Sequence, residues 1–403
     1  MTSTTAHDAL KISWIDRRED LVPLYTEWHE LAKRTGADIY LTPDWFDVWW
    51  THFGASRRLS CLVAHQGLQL VAVLPFSIET VWLGPVPVRL ARLAGMDPHC
   101  MIFRLPLEPE LSESLLHTAL DQLWDVQRCH AISFTPVSDL SDLGPLLRST
   151  CTNDVHLSLV DMPEGDHVIF DLPARFEDFL GGLSKKRRGQ FRRDMKGLED
   201  SFGQKTHVSY PTAAEFAEFV SFHNTQWQAV GKGGHFRDWP GSTVFYPDLA
   251  ERTLGSQVVQ LHMQTGSQAP LASQFALIAG LTAHWRLPAR TLDPEAEKLS
   301  VGKVGLLLMI EALIAQGVTR IEAGRGEYDY KLSYGGQSIG VRRMIVSPAT
   351  RVGRLRLRLL LGWADLLNLV YYRIWFLKIS PRLRRLTGGQ SRPLWRSWIR
   401  TRL

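Results

Sequence analysis

One order of predicted elements occurs twice in this chain, and it constrains the fold more than any other feature. The first round starts with a strand at LKISWI and continues through two helices, antiparallel strands, a helix and a strand. A second round begins at THVSY and ends with a helix that opens at Ser300, the strand VTRIEAG and a strand in SIGVRRMIVS that closes the sheet. This order predicts an α/β (α+β) fold of two tandem domains, each a mixed, mostly antiparallel sheet flanked by helices.

We place the domains at residues 1–164 and 165–349, followed by a C-terminal amphipathic helical tail at 350–403. The chain has 403 residues, which is enough for two domains with their own cores. Its composition of 45% hydrophobic and 22% charged residues is typical of a folded protein. The four cysteines lie far apart without a CxxC pair, so we expect no metal site and no disulfide framework.

The positive charge of the chain is concentrated in the tail. The net charge is +5, but thirteen Lys and Arg and the single acid Asp365 give residues 351–403 a charge of +12, which leaves −7 for the rest. Between Leu355 and Ile379, apolar residues alternate with charged ones, which is too broken for a membrane span and typical of an interfacial helix. We therefore expect residues 351–403 to bind an anionic membrane surface. A helix packed on the protein's own core is the alternative, and nucleic-acid binding is not expected.

The N-terminal segment indicates the compartment. MTSTTAHDALKI contains no basic stretch followed by an apolar core, so it does not predict a secretory signal. We expect a cytoplasmic protein that is peripheral at the inner membrane through its tail.

A glycine-bearing turn precedes the most apolar predicted helix, in the stretch EKLSVGKVGLLLMIEAL. It is no Walker loop, because Val304 follows Lys303 and no glycine stands five residues before Gly302. The free N–H groups and positive dipole at a helix start bind anions, phosphate above all. Gly302 and Gly305 permit close approach to the backbone, and Lys303 adds positive charge. The alternative is a serine cap, Ser300, followed by two glycines required for packing.

This strand, turn and leucine-rich helix resemble the pyrophosphate-binding turn of GNAT-superfamily acyltransferases. More narrowly, the chain resembles the CelD-type, cellulose-biosynthesis-associated acetyltransferases, which are tandem-GNAT proteins related to the FemAB peptidyltransferases. The resemblance departs from the family at the turn, where the usual Ser-Pro-Gly is Ser300-Val301-Gly302, and at Glu322, where aspartate is usual. The matching stretches are PDWFDVWWTHFG, LSKKRRGQFRRDMKGLE, HNTQWQAVGKGGHF, LDPEAEKLSVGKVGLLLMIEALIAQGVTRIEAGRG and YDYKLSYGG, in that order.

The resemblance implies transfer of an acyl group, most simply acetyl, from acyl-CoA to an amine or, less often, a hydroxyl, without a metal. It places the acyl-CoA between splayed strands of the second domain. It places the acceptor among amino sugars or other intermediates of cell-envelope or exopolysaccharide assembly. Two alternatives stay open: a FemAB-like transferase that uses aminoacyl-tRNA, and a non-catalytic module that docks a polysaccharide synthase at the membrane. The residues implied for binding CoA are Ser300, Val301, Gly302, Lys303, Val304 and Gly305.

Four residues are candidates for the chemistry. Glu322 follows the CoA helix, on a strand where a carboxylate could take the amine proton directly or through water. Tyr328 and Tyr330 come after that strand, where the family often places a tyrosine near the leaving sulfur. His235, in GKGGHF, is a candidate base near neutral pH. A rim salt bridge for Glu322, packing for the tyrosines and no role for the histidine are the alternatives.

Four further residues are candidates for binding the acceptor. Lys331 completes the family's Tyr-Lys pair and could bind an anionic acceptor or a CoA phosphate. His223 and Trp227 are predicted to form a wall on the acceptor side. Arg188 belongs to the basic run KKRRGQFRRDMK, which could attract phosphates or a charged acceptor. For Lys331 and Arg188, the alternative is a solvated helix face.

Overall fold

The computed structural model describes residues 9–96, 100–229, 234–239, 241–253, 256–326, 329–379 and 382–383. Its strands are β1 (Leu10–Ile15), β2 (Arg58–Gln66), β3 (Gln69–Leu83), β4 (Val86–Leu93), β5 (Ala131–Ser133), β6 (Val137–Ser138), β7 (Leu157–Asp171), β8 (Lys205–Ser209), β9 (Val258–Gln264), β10 (Pro270–Ala279), β11 (Thr282–Arg290), β12 (Arg320–Arg325) and β13 (Gln337–Pro348). Its α-helices are α1 (Tyr25–Thr35), α2 (Pro43–Phe53), α3 (Ser112–Asp121), α4 (Leu143–Asn153), α5 (Phe176–Gly182), α6 (Lys185–Phe202), α7 (Ala213–Ala229), α8 (His235–Asp238), α9 (Ser242–Arg252), α10 (Pro294–Lys298), α11 (Val301–Ala315), α12 (Asp329–Ser333) and α13 (Arg351–Leu367).

The chain divides into two compact units. Among the described residues, the first unit contains those up to 164 together with 340–369, and the second unit contains 165–339 and those from 370 onward. The prediction instead ended the second domain at residue 349 and began the tail at 350. Residues 340–369 lie in the first unit because β13 pairs with strands of that unit and α13 packs on its sheet.

The sheet of the first unit has the strand order β1-β2-β3-β4-β5-β13, with β6 on the edge of β13. Strands β1 to β4 form an antiparallel meander, and β5 then runs parallel to β4. Helix α2 begins with a proline at its first position and buries Trp45 and Phe46 completely. Trp45 donates from its indole N–H to the carbonyl of Gly95 (2.8 Å), which satisfies the polar end of this buried ring. The tryptophan-rich α2 therefore belongs to the core of the first unit.

The sheet of the second unit repeats this plan in the order β7-β12-β11-β10-β9-β8. Strands β8 to β11 form the antiparallel meander, and β12 runs parallel to β11. Helix α11 is buried along most of its length and fills the core on one face of this sheet. The predicted α/β fold with mixed, mostly antiparallel sheets and flanking helices is thus confirmed.

The strand in SIGVRRMIVS lies between β5 and β7 in the strand order. This strand, β13, pairs with β5 and β6 of the first unit, with Ile345 opposite Ser133 and Val341 opposite Ser138. Ile345 is fully buried in an apolar cluster with Leu90 of the first unit, which favours this pairing. In the second unit, β7 pairs with β12. Strand β13 thus pairs with strands that follow the first meander, although it follows the second meander in the sequence.

Helix α13 packs on the first unit through one face. The Thr350 hydroxyl caps it by accepting from the Gly353 N–H (3.0 Å). Its buried side chains lie against Val81, Val88 and Leu90 of the sheet; they are Leu357, Leu360 and Ala364. Over the residues that the structure describes, no helix combines the length and apolar character needed to cross a membrane.

The basic stretch after residue 175 forms two helices, α5 and α6. Helix α5 ends at Gly182, Leu183 is extended, and Ser184 caps α6 by accepting from the Arg187 N–H (3.3 Å). The guanidinium of Arg188 donates to the carbonyl of Gly181 (2.8 Å) and to that of Leu183. The break is therefore stabilised from both sides by polar contacts.

Candidate active site

Strands β11 and β12 separate in the middle of the second unit. Their parallel pairing covers only three positions, and the last of them joins His284 to Glu322. Beyond that pair β11 continues to Arg290 and β12 to Arg325, and no further register pair joins them in the described part of the chain. We call these diverging segments, 285–290 and 323–325, the fork, and the pair of His284 and Glu322 its vertex. A fork of this kind leaves strand edges between which an extended ligand can lie.

A buried carboxylate between two imidazoles occupies the vertex. Oε1 of Glu322 lies 3.5 Å from Nδ1 of His167 on β7, and Oε2 lies 3.9 Å from Nδ1 of His284. Oε1 also accepts from the N–H of Gly324 (2.8 Å), which has a positive φ of 76° at an irregularity in β12. Burial alone would raise the pKa of Glu322, but the contacts with the two histidines outweigh it and hold that pKa well below its usual range. Glu322 is therefore a fixed negative charge.

The vertex side chains project from the sheet face opposite α11. The residues on either side of His284 and of Glu322 belong to the apolar core around α11. Because side chains alternate along a strand, His284 and Glu322 point to the other face. That face carries α7 and α9, whose Phe219 and Tyr246 pack against the ring of Phe275 on β10.

This cluster has the composition of a proton-transfer site. An imidazole that directs Nδ1–H toward a carboxylate presents Nε2 as a proton acceptor, and the carboxylate stabilises the imidazolium that forms. His284 is the partner of Glu322 in the register and lies at the start of the fork, so its Nε2 is the candidate base. The sequence reasoning missed both His167 and His284. The signal was present, since each is a lone histidine inside an apolar strand, in DHVIF and LTAHWRL.

Lys331 lies beneath the fork rather than on its surface. It is 4% exposed, and its Nζ donates to the carbonyls of Ala323 (2.6 Å) and Gly324 (3.4 Å). Nζ also lies 5.8 Å from the centroid of the Trp285 ring. Burial lowers the pKa of Lys331 to about 8, against the opposing effect of the Glu322 charge. Lys331 therefore fixes the backbone of β12 just after the vertex.

Of the two predicted tyrosines, Tyr330 lies among the described residues. Tyr330 on α12 is half-buried and packs edge-on against Trp285, with ring centroids 6.3 Å apart. It thus lies on the same side of the fork as Lys331. Tyr328 lies outside the described residues.

The predicted acceptor wall lies along the outer part of β11, beyond its last pair with β12. Nδ1 of His223 donates to the carbonyl of Pro288 (3.0 Å), and its Nε2 accepts from the N–H of His235 (3.3 Å). Burial lowers the pKa of His223 to about 4, so the ring is neutral. One turn further along α7, the side chain of Gln226 accepts from the N–H of Arg290 (2.9 Å). Helix α7 therefore supplies the partners that β12 would otherwise provide to the outer part of β11.

His235 and Trp227 flank this edge. His235 is buried, packs against the rings of Trp239 and Tyr246, and has Nε2 3.5 Å from the Tyr246 hydroxyl. A side chain added at Gly234 would meet Trp227 at 3.2 Å, so Trp227 covers the backbone that leads into His235. Of the four predicted acceptor-side residues, His223 and Trp227 thus lie on α7, and Lys331 lies at the fork. Arg188 instead serves to cap α5.

The turn before α11 lies beyond the open end of the fork. Ser300 has a left-handed conformation (φ 49°), and its carbonyl accepts from the N–H groups of Lys303 (2.8 Å) and Val304 (3.1 Å). In the described part of the chain, the N–H groups of Val301 and Gly302 have no acceptor. Two free amides thus point out of the start of a fifteen-residue helix, with the exposed Lys303 beside them.

The glycines of this turn are set by packing. A Cβ on Gly302 would lie 2.9 Å from Cδ of Arg290, and a Cβ on Gly305 would lie 3.1 Å from Nε2 of Gln274. The guanidinium of Arg290 is held beside the turn by an ion pair with Glu297. Val301 and Val304 are buried in the core. Of the six residues implied for CoA binding, these two valines therefore position the turn, and they could offer only backbone groups to a ligand.

Residues 185–332 match the family model described as acetyltransferase (GNAT) domain. The similarity to GNAT acetyltransferases therefore lies within the second unit. The matched range runs from α6 to α12 and includes the fork, the vertex and the turn before α11. The GNAT part of the predicted resemblance is thus confirmed, and the narrower CelD-type assignment stays a prediction.

Three solved structures match most of the chain. A crystal structure of FemX matches with a TM-score of 0.59 and 9% identity, over 79% of this chain and 95% of FemX. A structure of L-PGS from Bacillus licheniformis matches with a TM-score of 0.47 and 12% identity, over 83% of this chain and 96% of that one. A tandem GNAT protein from the clavulanic acid biosynthesis pathway matches with a TM-score of 0.44 and 14% identity, over 85% and 99%. No curated protein matches the chain. At these identities the FemX match shows the fold alone.

Proposed function

We propose that this chain is an acyl-CoA-dependent N-acyltransferase whose second unit moves an acetyl group onto an amine. One observation carries the proposal: a GNAT domain in which β11 and β12 diverge from a buried Glu322 and His284 pair, with free helix amides beyond the open end. The geometry therefore offers a strand gap, a proton acceptor and an anion site in one unit.

The donor fits the fork from its open end inward. The diphosphate of CoA would accept hydrogen bonds from the N–H groups of Val301 and Gly302, with Lys303 and Arg290 adding positive charge. The pantetheine arm, an extended chain with two amides, would lie between the diverging strands. The thioester would then lie near the vertex.

The reaction follows from the groups at the vertex. The amine nitrogen attacks the thioester carbonyl, a C–N bond forms, and the C–S bond breaks as CoA leaves. Nε2 of His284 takes the proton from the amine, and Glu322 stabilises the resulting imidazolium. The proton then returns to the leaving thiolate through the solvent or a neighbouring hydroxyl.

The acceptor is proposed to be an amino sugar or another intermediate of cell-envelope or exopolysaccharide assembly, as the CelD-type resemblance implies. A panel of amino sugars with acetyl-CoA, followed by release of free thiol, tests this. If no amine in a broad panel releases thiol from a chain that binds acetyl-CoA, the acceptor assignment is wrong.

The donor is tested by direct binding. Titration calorimetry with acetyl-CoA is expected to give a saturable isotherm, whereas aminoacyl-tRNA is expected to give no shift in an electrophoretic assay. The opposite pair of results would favour the FemAB-like alternative. Binding of neither donor would favour the non-catalytic docking module.

Substitution at Gly302 provides a charge test of the anion site. Gly302→Asp is expected to bind acetyl-CoA at least about tenfold more weakly than Gly302→Asn, since only the aspartate repels a diphosphate at the helix start. The two side chains have nearly the same shape and meet Arg290 equally, so Gly302→Asn is the matched control. The comparison uses dissociation constants from calorimetry. Equal affinities of the two variants would place the diphosphate elsewhere.

A further inference from the structure

The outer face of α13 carries an apolar stripe that the first unit does not use. Exposed apolar side chains recur at steps of three and four residues, which places them on one side of the helix. They are Val352, Leu355, Leu359, Trp363 and Leu366, and each is between 36% and 58% exposed. The stripe is distinct from the buried one at Leu357, Leu360 and Ala364. Helix α13 is thus apolar on two sides.

The charges of α13 border the outer stripe. Four arginines occupy the first half of the helix, at positions 351, 354, 356 and 358, and three of them are exposed. At about 100° per residue, Arg351 and Arg358 fall on one side of the stripe and Arg356 on the other. The acid of this helix, Asp365, is drawn toward Arg343 of β13 at 3.4 Å. The outer face therefore presents leucines and a tryptophan between guanidinium groups.

We propose that this outer face of α13 lies on an anionic phospholipid surface while its inner face stays packed on the first unit. The stripe runs from Val352 to Leu366, a rise of about 21 Å along the helix axis, which allows the helix to lie flat in the headgroup layer. Docking then requires no release of the helix from the fold. This separates the inference from the sequence prediction, in which membrane binding and packing on the core were alternatives.

Charge decides between a bilayer and a second copy of this chain. Two copies meeting through this face would bring two sets of arginines together, and like charges brought together at an interface are repulsive. Anionic headgroups complement the same arginines, and each basic residue near such a surface contributes about a fivefold increase in partition. The inference does not depend on the proposed acyl transfer.

The test is flotation of the full-length protein with vesicles. Wild-type protein is expected to partition at least about tenfold more strongly onto vesicles of phosphatidylcholine with phosphatidylglycerol than onto phosphatidylcholine alone. L355E/L359E is expected to lose at least about tenfold of that partition. The matched control is L68E/L281E, which adds the same two charges at leucines that are 98% and 64% exposed in β-turns elsewhere, and it should bind like wild type.

The salt dependence of binding and the folding of each variant are measured as well. R351Q/R358Q, which removes the two exposed arginines beside the stripe, is expected to lose about 25-fold at low salt and little at high salt, because only the attraction between charges is screened. Circular dichroism of each variant must match wild type, since Leu355 and Leu359 lie outside the buried stripe. Unchanged flotation of L355E/L359E would overturn the proposal. So would a wild-type dimer in light scattering that L355E/L359E converts to monomer without any vesicle binding.

Discussion

Replacing His284 with asparagine is expected to lower the rate of acetyl transfer at least about a hundredfold, the usual loss when a general base is removed. The reason is geometric. Nδ1 of His284 faces the Glu322 carboxylate at 3.9 Å, and His284 is the last residue of β11 paired with β12, at the start of the fork. The dissociation constant of acetyl-CoA should change little, because the amides proposed to bind it lie at Val301 and Gly302. Initial rates of thiol release, with calorimetry for the donor, give both quantities.

Two further variants make this result specific. Glu322→Gln keeps the shape but removes the charge, and in combination with His284→Asn it should add little to the loss, because the pair acts as one unit. His207→Asn is the matched control, since this exposed histidine lies on β8 far along the sheet from β12. A His284→Asn enzyme with wild-type kcat would remove His284 from the mechanism. If His167→Asn then lost activity, the base would be on the other side of Glu322.

The first unit shows why the proposed chemistry belongs to the second. Its β4 and β5 also pair in parallel over three positions, and the last of them joins Arg92 to Ser133. These positions correspond to His284 and Glu322 in the repeated plan. Strand β4 then ends at Leu93, one residue later, whereas β11 runs six residues past its last pair. The first unit therefore has neither the carboxylate–imidazole pair nor a long strand segment beyond the last parallel pair at this place.

The sequence predicted the order of elements well, because local periodicity determines it. The meander β9 to β11, the apolar α11 and the break at Gly54 after α2 all carry local signals. No local signal in the sequence indicates which strands β13 pairs with. Strand β13 reads as a buried strand in either unit, and only its contacts with β5 and α13 place it in the first.

The candidate site was predictable in part for the same reason. Glu322 and the turn at Gly302 stand next to a recognisable helix, so the resemblance could identify them. His167 and His284 reach Glu322 from two other strands, β7 and β11, through a register that no local pattern encodes. The resemblance pointed to Lys331, but it did not predict that the side chain is buried. A lysine after a strand usually lies in solvent, and only the structure shows its Nζ on two backbone carbonyls.

Lys331 is expected to make the protein more stable as the pH rises from about 8 toward 10.5. Burial lowers the pKa of this lysine to about 8 in the folded chain, while the unfolded chain keeps the usual 10.5. Between these values the unfolded state holds one more proton than the folded state, so the free energy of unfolding increases with pH. The total gain from this group is roughly 3 kcal/mol. Below pH 8 both states are protonated, and the contribution is constant.

Urea denaturation of wild type and Lys331→Met at several pH values isolates this gain, because the other titrating groups contribute equally to both proteins. The difference in unfolding free energy between wild type and Lys331→Met should change by roughly 3 kcal/mol in favour of wild type from pH 7.5 to 10.5. Lys303→Met, at an exposed lysine, is the control and should follow wild type throughout. A difference that stays constant with pH would mean that Lys331 keeps an ordinary pKa.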